Sequence, residues 1–434
     1  MRIGESENRV LGWIDDHQDF LVGLLQSLVR IRSITGQEGE AQRFVSQSMK
    51  EVCDTVDIWE PDATILEAHP SFFAKGQSFV GRPNVVGTLA GGGNGPSLLL
   101  NAHIDVVQAQ PETEWAHGAW SGEIIDGVLH GRGSLDDKSG VAMMITVAKA
   151  LRESGVLLAG RLQLHSVIDE EWGGSGTLAA VQRGHIADAG IILEPVGPDI
   201  FPASRGGQAF QVSVEGKGAH PVASWAGVSA LEKAIVIIGD LKKFESERQG
   251  TLRTPLFHDY PVFAPIVVGR ISADLIPSKV PERCVFEGLY GYMPEEHWSE
   301  ARRLFEERVA LAARQDPWLN EHPPEVRWIG LNKEGTAIDV DHPLVLCLRE
   351  AVADVSGITP KVRGYPAGTD LPLLVNYGHV PSVLYGVECN WGDSHSSTEH
   401  VELRKLVNAT RSLALAVMRW CRTKEYRETE QRLK

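Results

Sequence analysis

Between Pro96 and Glu194, short apolar segments alternate with segments in which apolar residues have helical spacing. The apolar segments are SLLLNAHIDVV, RLQLHSVI and AGIILE, and the helical stretches run over Gly140–Glu153 and Gly176–Arg183. A chain that alternates strands with helices pairs its strands in parallel, because each helix carries the chain back across the sheet. This region therefore predicts an α/β fold with a mostly parallel sheet and helices on both faces.

Further along the chain the pattern changes. Two strands, QAFQVSVEG and RCVFEGLYGYM, combine with helices over Val222–Lys243 and Glu295–Arg314, which is typical of a compact α+β unit. The first pattern resumes in VLCLREAV, DLPLLVN and VPSVLYG. We therefore predict that residues 205–324 form an inserted domain, and that residues 1–204 and 325–434 form one domain around it.

An amphipathic helix is expected near each end of the chain. From about Glu7 to Arg32, apolar residues recur at helical intervals, and the segment SITGQEGE then breaks the pattern. We interpret this segment as one helix. A closing helix is expected from about Val401 to Arg422.

The composition is that of a globular protein with more than one domain. The chain has 434 residues, of which 43% are hydrophobic and 23% charged, so it is too long for one ordinary core. Its 42 basic and 57 acidic residues give a net charge of -15, which repels phosphate backbones and anionic membranes. We therefore expect neither nucleic acid nor a membrane as a partner.

The cysteines indicate a reducing environment. The five of them are far apart and never form a CxxC pair, so neither a disulfide framework nor a thiolate zinc site is indicated. The first residues, MRIGESENRV, lack the pattern of a signal sequence, and the sequence has no apolar stretch of membrane-spanning length. We expect a cytoplasmic protein.

Acidic and imidazole side chains stand at the ends of the predicted strands and in one Gly-rich turn. They form five short patches: His103 with Asp105, Asp136, Glu170 with Glu171, Glu194, and His395. In open parallel sheets, ligands bind beyond the carboxyl ends of the strands. Carboxylates and neutral imidazoles suit zinc, cobalt or manganese, and two such metals can share a carboxylate and hold a water. The patches therefore predict a centre of two divalent metals.

Two of these patches carry the sharpest signals. Asp136 lies in HGRGSLDDKSG, a Gly-rich turn leading into a helix, where its carboxylate can reach two ions. Glu170 and Glu171 are adjacent at a strand end, where two carboxylates repel each other unless each has a task. One can bind metal while the other takes a proton from water and gives it to a leaving amine.

The simpler interpretation of each patch is a surface accident. An HxD triplet or an EE pair occurs on many solvated surfaces, and only the combination of patches argues for a metal centre. Most of the remaining histidines, among them His117 and His400, are interpreted as ordinary surface or packed residues.

The motifs around these residues resemble those of the dinuclear zinc amidohydrolases, the family that includes acetylornithine deacetylase, succinyl-diaminopimelate desuccinylase, aminoacylase and carboxypeptidase G. The matching segments are NAHIDVV, GRGSLDDKSG, DEEWGGSGT, LEPVG, GKGAHP with GVSA, GTDLP, and HSSTEHV. They span most of the chain. The resemblance implies a zinc-peptidase-like catalytic domain with an inserted lid and dimerisation domain. It also implies two divalent metal ions, with zinc first and cobalt or manganese as alternatives.

The resemblance assigns the metal ligands residue by residue. One metal would be held by His103 and Glu194, and the other by Glu171 and His395. Asp136 would bridge the two metals. All five residues offer oxygen or nitrogen donors of the kind found in catalytic zinc sites.

Three further residues receive roles from the resemblance. Asp105 would orient the His103 imidazole, and Glu170 would be the general base. His220, in GKGAHP, would stabilise the oxyanion of the tetrahedral intermediate, and in related dimers this histidine reaches the partner's active site. The family also has a cis peptide after the bridging aspartate, which here is the Asp136–Asp137 bond.

The predicted lid departs from the family at the positions where many members bind the substrate carboxylate. Those members carry an Asn three residues before a Pro and an Arg near the end of the following strand. Alignment on the second proline of IPSKVP puts Ser278 and Gly291 at these positions. Alignment on the first proline puts Asp274 and Glu287 there.

Neither alignment supplies the bidentate cation that usually holds a carboxylate. The substrate therefore either lacks a free α-carboxylate or uses another cation, such as Arg205, Lys279 or Arg363. This shifts the expected substrate toward amines without a carboxylate.

Amide hydrolysis is the expected reaction. The leading hypothesis is removal of an acyl group, formyl included, from an N-acyl amino acid or a small N-acyl amine, with Glu170 as general base. Dipeptidase or carboxypeptidase activity is the second hypothesis. The hypothesis from another class is a non-catalytic metal-binding relative, which one measured hydrolysis of an N-acyl substrate would exclude. The expected partners are a small amide substrate and a second copy of the chain, paired through the lid as a homodimer.

Overall fold

The structure, a computed structural model, describes residues 3–72, 76–274, 277–390 and 392–423. The chain divides into two compact units. The first is Met1–Pro202 with Ile338–Arg363 and Thr369–Lys434, and the second is Ala203–Ala337 with Gly364–Gly368. The two ends of the domain predicted for residues 1–204 and 325–434, residues 1–2 and 424–434, lie outside the described residues.

Short strands and longer helices follow one another along the chain. The strands are β1 (Thr55–Trp59), β2 (Asn84–Leu89), β3 (Leu98–His103), β4 (Ile124–Ile125), β5 (Val128–His130), β6 (Leu162–Val167), β7 (Ala189–Ile192), β8 (Ile200–Ser204), β9 (Gly206–Glu215), β10 (Ile266–Ala273), β11 (Arg283–Tyr292), β12 (Glu325–Lys333), β13 (Thr336–Ala337), β14 (Val362–Tyr365), β15 (Ser382–Leu384) and β16 (His400–Glu402). The helices are α1 (Glu5–Asp16), α2 (Gln18–Arg30), α3 (Gly39–Val52), α4 (Ala63–Leu66), α5 (Lys138–Glu153), α6 (Ser175–Gln182), α7 (Ala230–Thr251), α8 (Trp298–Arg314), α9 (Pro317–Glu321), α10 (Pro343–Ser356) and α11 (Leu403–Cys421). None of the described helices is both long enough and apolar enough to span a membrane.

The first unit is built on a mixed sheet that contains, in order, β1, β2, β6, β3, β7, β15 and β8. The central strands β6, β3, β7 and β15 run parallel, whereas the pairs nearer the edges are antiparallel. All residues of β3 and β6 are buried, which is typical of parallel strands covered on both faces. The predicted α/β fold with a mostly parallel central sheet is confirmed.

Helices α5 and α11 pack at the centre of this unit. α5 contacts β3 and β6, and α11 contacts both α5 and α10. Nearly every residue from Lys138 to Leu151 is buried, because α5 is surrounded by other elements instead of showing one face to solvent. Since α5 begins immediately after the turn that contains Asp136, its packing fixes that turn.

The N-terminal segment is two helices, and the prediction of one helix over residues 7–32 is wrong. α1 and α2 are separated at His17, whose φ of -124° and ψ of 36° are not helical. The His17 ring stacks on Trp13 at a centroid distance of 4.3 Å, and its Nδ1 lies 2.8 Å from the Trp13 carbonyl oxygen. The apolar spacing continues through the break, so the sequence pattern does not show it.

The second unit contains an antiparallel sheet in the order β10, β11, β9, β12. Alternate residues of β9 are buried, among them Phe210, Val212 and Val214, and they pack with buried residues of α7 and α8. Because β12 pairs with β9, the second unit runs to Ala337 and not to residue 324, the boundary expected from the sequence.

The long helix of the second unit begins later than the sequence suggests. A short 3-10 turn covers Pro221–Ala226, and α7 starts only at Ala230. The side chain of Ser229 accepts a hydrogen bond from the Glu232 backbone N–H at 3.3 Å and caps the helix. The predicted start at Val222 therefore falls in the 3-10 turn.

A buried ion cluster lies beneath the loop that follows β6. The guanidinium of Arg82 contacts the Glu38 carboxylate at 2.6 and 2.7 Å and Oδ1 of Asp169 at 3.0 Å. The side chains are 6%, 0% and 0% exposed, so each charge depends on the others for compensation. Asp169 directly precedes the Glu170–Glu171 pair and has a left-handed φ of 65°.

We expect Arg82→Met to lower the free energy of unfolding by about 3–5 kcal/mol, because it leaves two carboxylates buried without a cation. Denaturant unfolding measures the change. The matched control is Arg183→Met, which breaks an Arg183–Asp57 pair whose side chains are 47% and 35% exposed. That change is expected to cost at most about 1 kcal/mol. Equal losses in the two variants would contradict the role given to the buried cluster.

Candidate metal centre

His103 is the last residue of β3, and its imidazole is buried. Its Nδ1 lies 2.8 Å from the backbone oxygen of Asp105, and its Nε2 lies 3.0 Å from Oδ1 of Asp136. A carbonyl oxygen only accepts hydrogen bonds, so Nδ1 carries the proton and Nε2 faces the carboxylate. This is the orientation in which a histidine offers Nε2 to a metal.

The carboxylate of Asp105 is fully buried and holds the pair of glutamates. It accepts hydrogen bonds from the backbone N–H of Glu170 at 3.0 Å, that of Glu171 at 3.3 Å, and the hydroxyl of Thr35 at 2.8 Å. Its Oδ1 is 3.7 Å from Nδ1 of His103, which is too far for a hydrogen bond. The expected contact between Asp105 and the His103 ring is therefore made by the backbone oxygen of Asp105. The carboxylate of Asp105 instead positions the loop after β6.

Asp136 lies at the turn between β5 and α5. The Asp136–Asp137 peptide bond is cis, as the resemblance implies. The side chain of Asp137 turns back to β3, where its Oδ2 accepts a hydrogen bond from the His103 backbone N–H at 3.2 Å. The turn is thus joined directly to the strand that carries the histidine.

Glu399 holds this turn from the other side. Its Oε1 accepts hydrogen bonds from the backbone N–H groups of Gly133, Leu135 and Asp136 at 3.0, 3.1 and 3.1 Å. Its other carboxylate oxygen pairs with the guanidinium of Arg132. Both side chains are buried, at 0% and 3% exposure.

Sequence reasoning assigned no role to Glu399 or Arg132. Both lie inside segments that match the family, HSSTEHV and HGRGSLDDKSG, but they are separated by 267 positions in the chain. Local spacing contains no sign that they meet. An acidic residue four positions after a predicted metal ligand, inside the same motif, was the one available signal.

His395 joins the cluster from the far end of the chain. Its Nε2 is 3.1 Å from Oε1 of Glu171 and 3.4 Å from Oδ2 of Asp136. The two carboxylate oxygens of Asp136 therefore face one imidazole each. Ligand atoms of His103, Asp136 and Glu171 also lie within 4.8 Å of one another.

Negative charge is crowded in the cluster. Burial raises the pKa of Glu194, which follows β7, well above its usual value, and the charges of Asp136 and Glu170 raise it further. Hydrogen bonds with Asp136 and then with Glu171 raise the pKa of His395 to about 10. Carboxylates that crowd two imidazoles in this way form a donor set of the type that divalent metals bind, so the residues fit a metal centre.

His220, the predicted oxyanion donor, belongs to the second unit. It is exposed and directly precedes the 3-10 turn Pro221–Ala226. Its Nδ1 accepts a hydrogen bond from the Val222 backbone N–H at 3.3 Å. The oxyanion role remains a prediction.

Two of the three cations suggested as carboxylate binders are engaged by acidic residues. The ammonium of Lys279 pairs with Asp274 at 3.4 Å and with Glu282 at 2.9 Å. The guanidinium of Arg363 pairs with Asp199 at 2.9 Å. If Asp274 is the residue that aligns with the family's Asn, its carboxylate is therefore already engaged in an ion pair with Lys279.

The third cation, Arg205, lies beside Gly291, one of the two positions aligned with the family's Arg. A Cβ at Gly291 would lie 2.9 Å from Cδ of Pro265 and 3.3 Å from Nε of Arg205. The Arg205 guanidinium donates to the carbonyl oxygen of Phe263 at 3.1 Å. Burial lowers its pKa to about 10. A larger residue at position 291 is thus disfavoured, and Arg205 occupies the adjoining space.

Known proteins resemble this chain over most of its length. The model of peptidase family M20/M25/M40 matches residues 99–419. The N-formyl-4-amino-5-aminomethyl-2-methylpyrimidine deformylase of Halalkalibacterium halodurans is 27% identical over 436 residues, which cover 95% of this chain and 97% of the deformylase.

Solved structures show the same fold. An M20 family metallo-carboxypeptidase from Sulfolobus solfataricus has a TM-score of 0.73 at 14% identity, over 92% of this chain and 99% of the other. A dinuclear metal-binding peptidase of the M20 family from Bacillus subtilis has a TM-score of 0.60 at 18% identity, over 94% and 99%.

Proposed function

The chain belongs to peptidase family M20/M25/M40 and is a metal-dependent hydrolase of amide bonds, and we propose that it removes the acyl group from a small N-acyl amine or N-acyl amino acid. Two divalent metals are bound in this proposal by His103, Glu194, Glu171 and His395, with Asp136 between them. Zinc is the first choice for both positions, and cobalt and manganese suit the same donors.

The position of Asp136 carries the proposal. Its Oδ1 is 3.0 Å from Nε2 of His103, and its Oδ2 is 3.4 Å from Nε2 of His395. A carboxylate with a different imidazole at each oxygen has the arrangement that a bridge between two metals needs. Glu399 and the backbone of the turn hold Asp136 in this orientation.

Glu170 moves the proton in the proposed reaction. Its backbone N–H is fixed by Asp105, and its charge acts on Glu194, which supports a place at the edge of the ligand cluster. Bound metals would polarise the amide carbonyl and make water a better nucleophile. Glu170 takes a proton from the attacking water and then gives it to the departing nitrogen. The products are the carboxylate of the acyl group and the free amine.

Small acyl groups on amines without a carboxylate are the preferred substrates. Full-length similarity to a deformylase supports this choice. So does the absence of a cation at Gly291 and at Glu287, where relatives of the family carry an Arg. Glu287 instead accepts a hydrogen bond from Gln211 at 2.7 Å.

The second unit serves as lid and dimerisation domain in this proposal, with His220 as the oxyanion donor. Apolar side chains are exposed on α7 and on β10, an edge strand of its sheet: Ile235, Val236, Val267 and Ile271. Exposed apolar groups beside an edge strand support a protein interface. We therefore propose a homodimer. The composition and the free cysteines support a cytoplasmic location.

A substrate panel tests the proposed function. The purified protein is assayed with N-formyl amines, including N-formyl-4-amino-5-aminomethyl-2-methylpyrimidine, with N-acyl amino acids and with dipeptides. Each assay is run with zinc, cobalt or manganese. We expect N-formyl amines to be cleaved fastest, and we expect a chelator to abolish cleavage until metal is restored. Cleavage of dipeptides alone would establish a peptidase instead. A protein that binds metal but cleaves no member of the panel would contradict the deacylase proposal.

A further inference from the structure

We propose that His117, His130 and His400 form a separate divalent-metal site on the first unit, with Glu123 orienting His117. None of these residues belongs to the proposed catalytic centre. The site is carried by the small antiparallel sheet of β16, β5 and β4 and by the loop that precedes β4. Three imidazoles suit zinc, nickel or copper(II), the metals that histidine clusters select.

The spacing of two of the ring pairs is close to that of imidazoles that share one ion. The His117 and His130 ring centroids are 4.4 Å apart, and those of His130 and His400 are 5.8 Å apart. Two imidazoles bound to one tetrahedral zinc, with Zn–N distances near 2.0 Å, have centroids about 5 Å apart. The observed distances lie on either side of this value. The ligand nitrogens of the three histidines do not all lie within 4.8 Å of one another as the rings stand. The site therefore requires the His117 ring, whose side chain is 37% exposed, to rotate toward the other two.

Backbone pairing fixes the positions of two of the histidines. His400 and His130 are direct partners across the antiparallel pair of β16 and β5. The backbone N–H of His130 donates to the Glu123 carbonyl oxygen at 2.9 Å, which places the residue before β4 beside His130. The sheet therefore holds the two rings close together before any metal binds.

Two of the rings already make the contact that prepares a histidine for metal binding. The Nδ1 of His400 lies 2.8 Å from the carbonyl oxygen of Thr398, and the Nδ1 of His117 lies 3.3 Å from Oε2 of Glu123. An oxygen acceptor at Nδ1 keeps the proton there and leaves Nε2 as the ligand atom. Burial, and then the neighbouring His117 and His400, lower the pKa of His130, which keeps its ring neutral as metal binding requires.

The site would be coupled to the catalytic turn through the backbone. His400 directly follows Glu399, and the Gly131 N–H, next to His130, donates to the Glu399 carbonyl oxygen at 3.1 Å. A metal bound by all three histidines would therefore hold β5, β16 and the His117 loop together. Arg132 follows β5 and Glu399 precedes β16, so the metal would also stabilise the segments that carry this ion pair. Occupancy should stabilise the folded protein.

Zinc counting tests the proposal. Wild type, His117→Ala and His400→Ala are dialysed to equilibrium against the same zinc buffer, and bound zinc per chain is measured. We expect each variant to bind one zinc fewer than wild type, whatever the number held by the catalytic centre. His258→Ala, which removes an exposed histidine of the second unit, is the control and should match wild type. Equal zinc content in wild type and both cluster variants would overturn the site.

Zinc affinity and thermal stability give independent readouts. Glu123→Gln is expected to retain the site but to weaken its zinc binding by about tenfold to a hundredfold, because an orienting partner of His117 is lost. Added zinc is expected to raise the melting temperature of wild type above that of His117→Ala after the catalytic centre is saturated. The same zinc-dependent rise in both proteins would count against the site.

Discussion

Replacing Glu170 with alanine is expected to abolish turnover while bound metal stays near the wild-type level. Loss of a positioned general acid and base costs on the order of a hundredfold or more in rate. Glu170 is assigned no place among the metal ligands, so its removal leaves His103, Asp136 and Glu171 to bind metal. The measurement combines kcat on the best substrate of the panel with metal content of the same preparation.

Glu171→Ala is the contrasting variant for this experiment. Glu171 contacts His395 at 3.1 Å and belongs to the ligand cluster, so this variant should lose both metal and turnover. Glu67→Ala, at an exposed position, should keep both. If Glu170→Ala retains its turnover, or if it loses metal as Glu171→Ala does, the assignment of Glu170 as the proton carrier is wrong.

Replacing Glu399 with alanine is expected to destabilise the protein by at least about 3–5 kcal/mol, because the Arg132 guanidinium is left buried without its partner. The change also leaves the backbone N–H groups of Gly133, Leu135 and Asp136 without their shared acceptor. Each unsatisfied buried group adds about 1–3 kcal/mol if nothing replaces the bond. Denaturant unfolding gives the loss of stability.

Metal affinity is the second readout for Glu399, since a residue that only stabilises the fold would not change it. The turn that Glu399 holds contains Asp136, so Glu399→Ala should weaken metal binding by about tenfold to a hundredfold. Glu402→Ala, three residues further along the chain at the end of β16, is the matched control. Glu402 pairs with Lys405 at 2.9 Å and its side chain is 40% exposed, so its loss should cost at most about 1 kcal/mol. Unchanged metal affinity in Glu399→Ala would show that Glu399 does not position the bridging aspartate.

Local pattern was enough to predict the core of the first unit. The apolar segments that became β3, β6 and β7 are fully buried strands, and their carboxyl ends lead to His103, to the Glu170–Glu171 pair and to Glu194. Burial on both faces makes such strands continuously apolar, so they are recognisable without any knowledge of their neighbours. The order of strands and helices then fixes the parallel sheet.

Local apolar pattern failed in two places, and in one of them the outcome depends on a partner distant in sequence. The break at His17 lies inside a continuous apolar periodicity, and the His17 ring there contacts the Trp13 backbone. The end of the second unit at Ala337 is set by the pairing of β12 with β9, about a hundred positions earlier in the chain. The composition of a strand does not indicate which distant strand it will pair with.

The sequence by itself determined the donor types, because carboxylates and imidazoles at strand ends limit the chemistry to metal binding and proton transfer. It also determined the sheet on which those donors stand. Only the tertiary structure decided which donors meet. It placed His395 against Glu171 and Asp136, turned the Asp105 carboxylate toward the glutamate pair, and brought Glu399 to the turn. The physical reason is that these contacts join segments up to 267 positions apart, and their geometry depends on the packing between those segments.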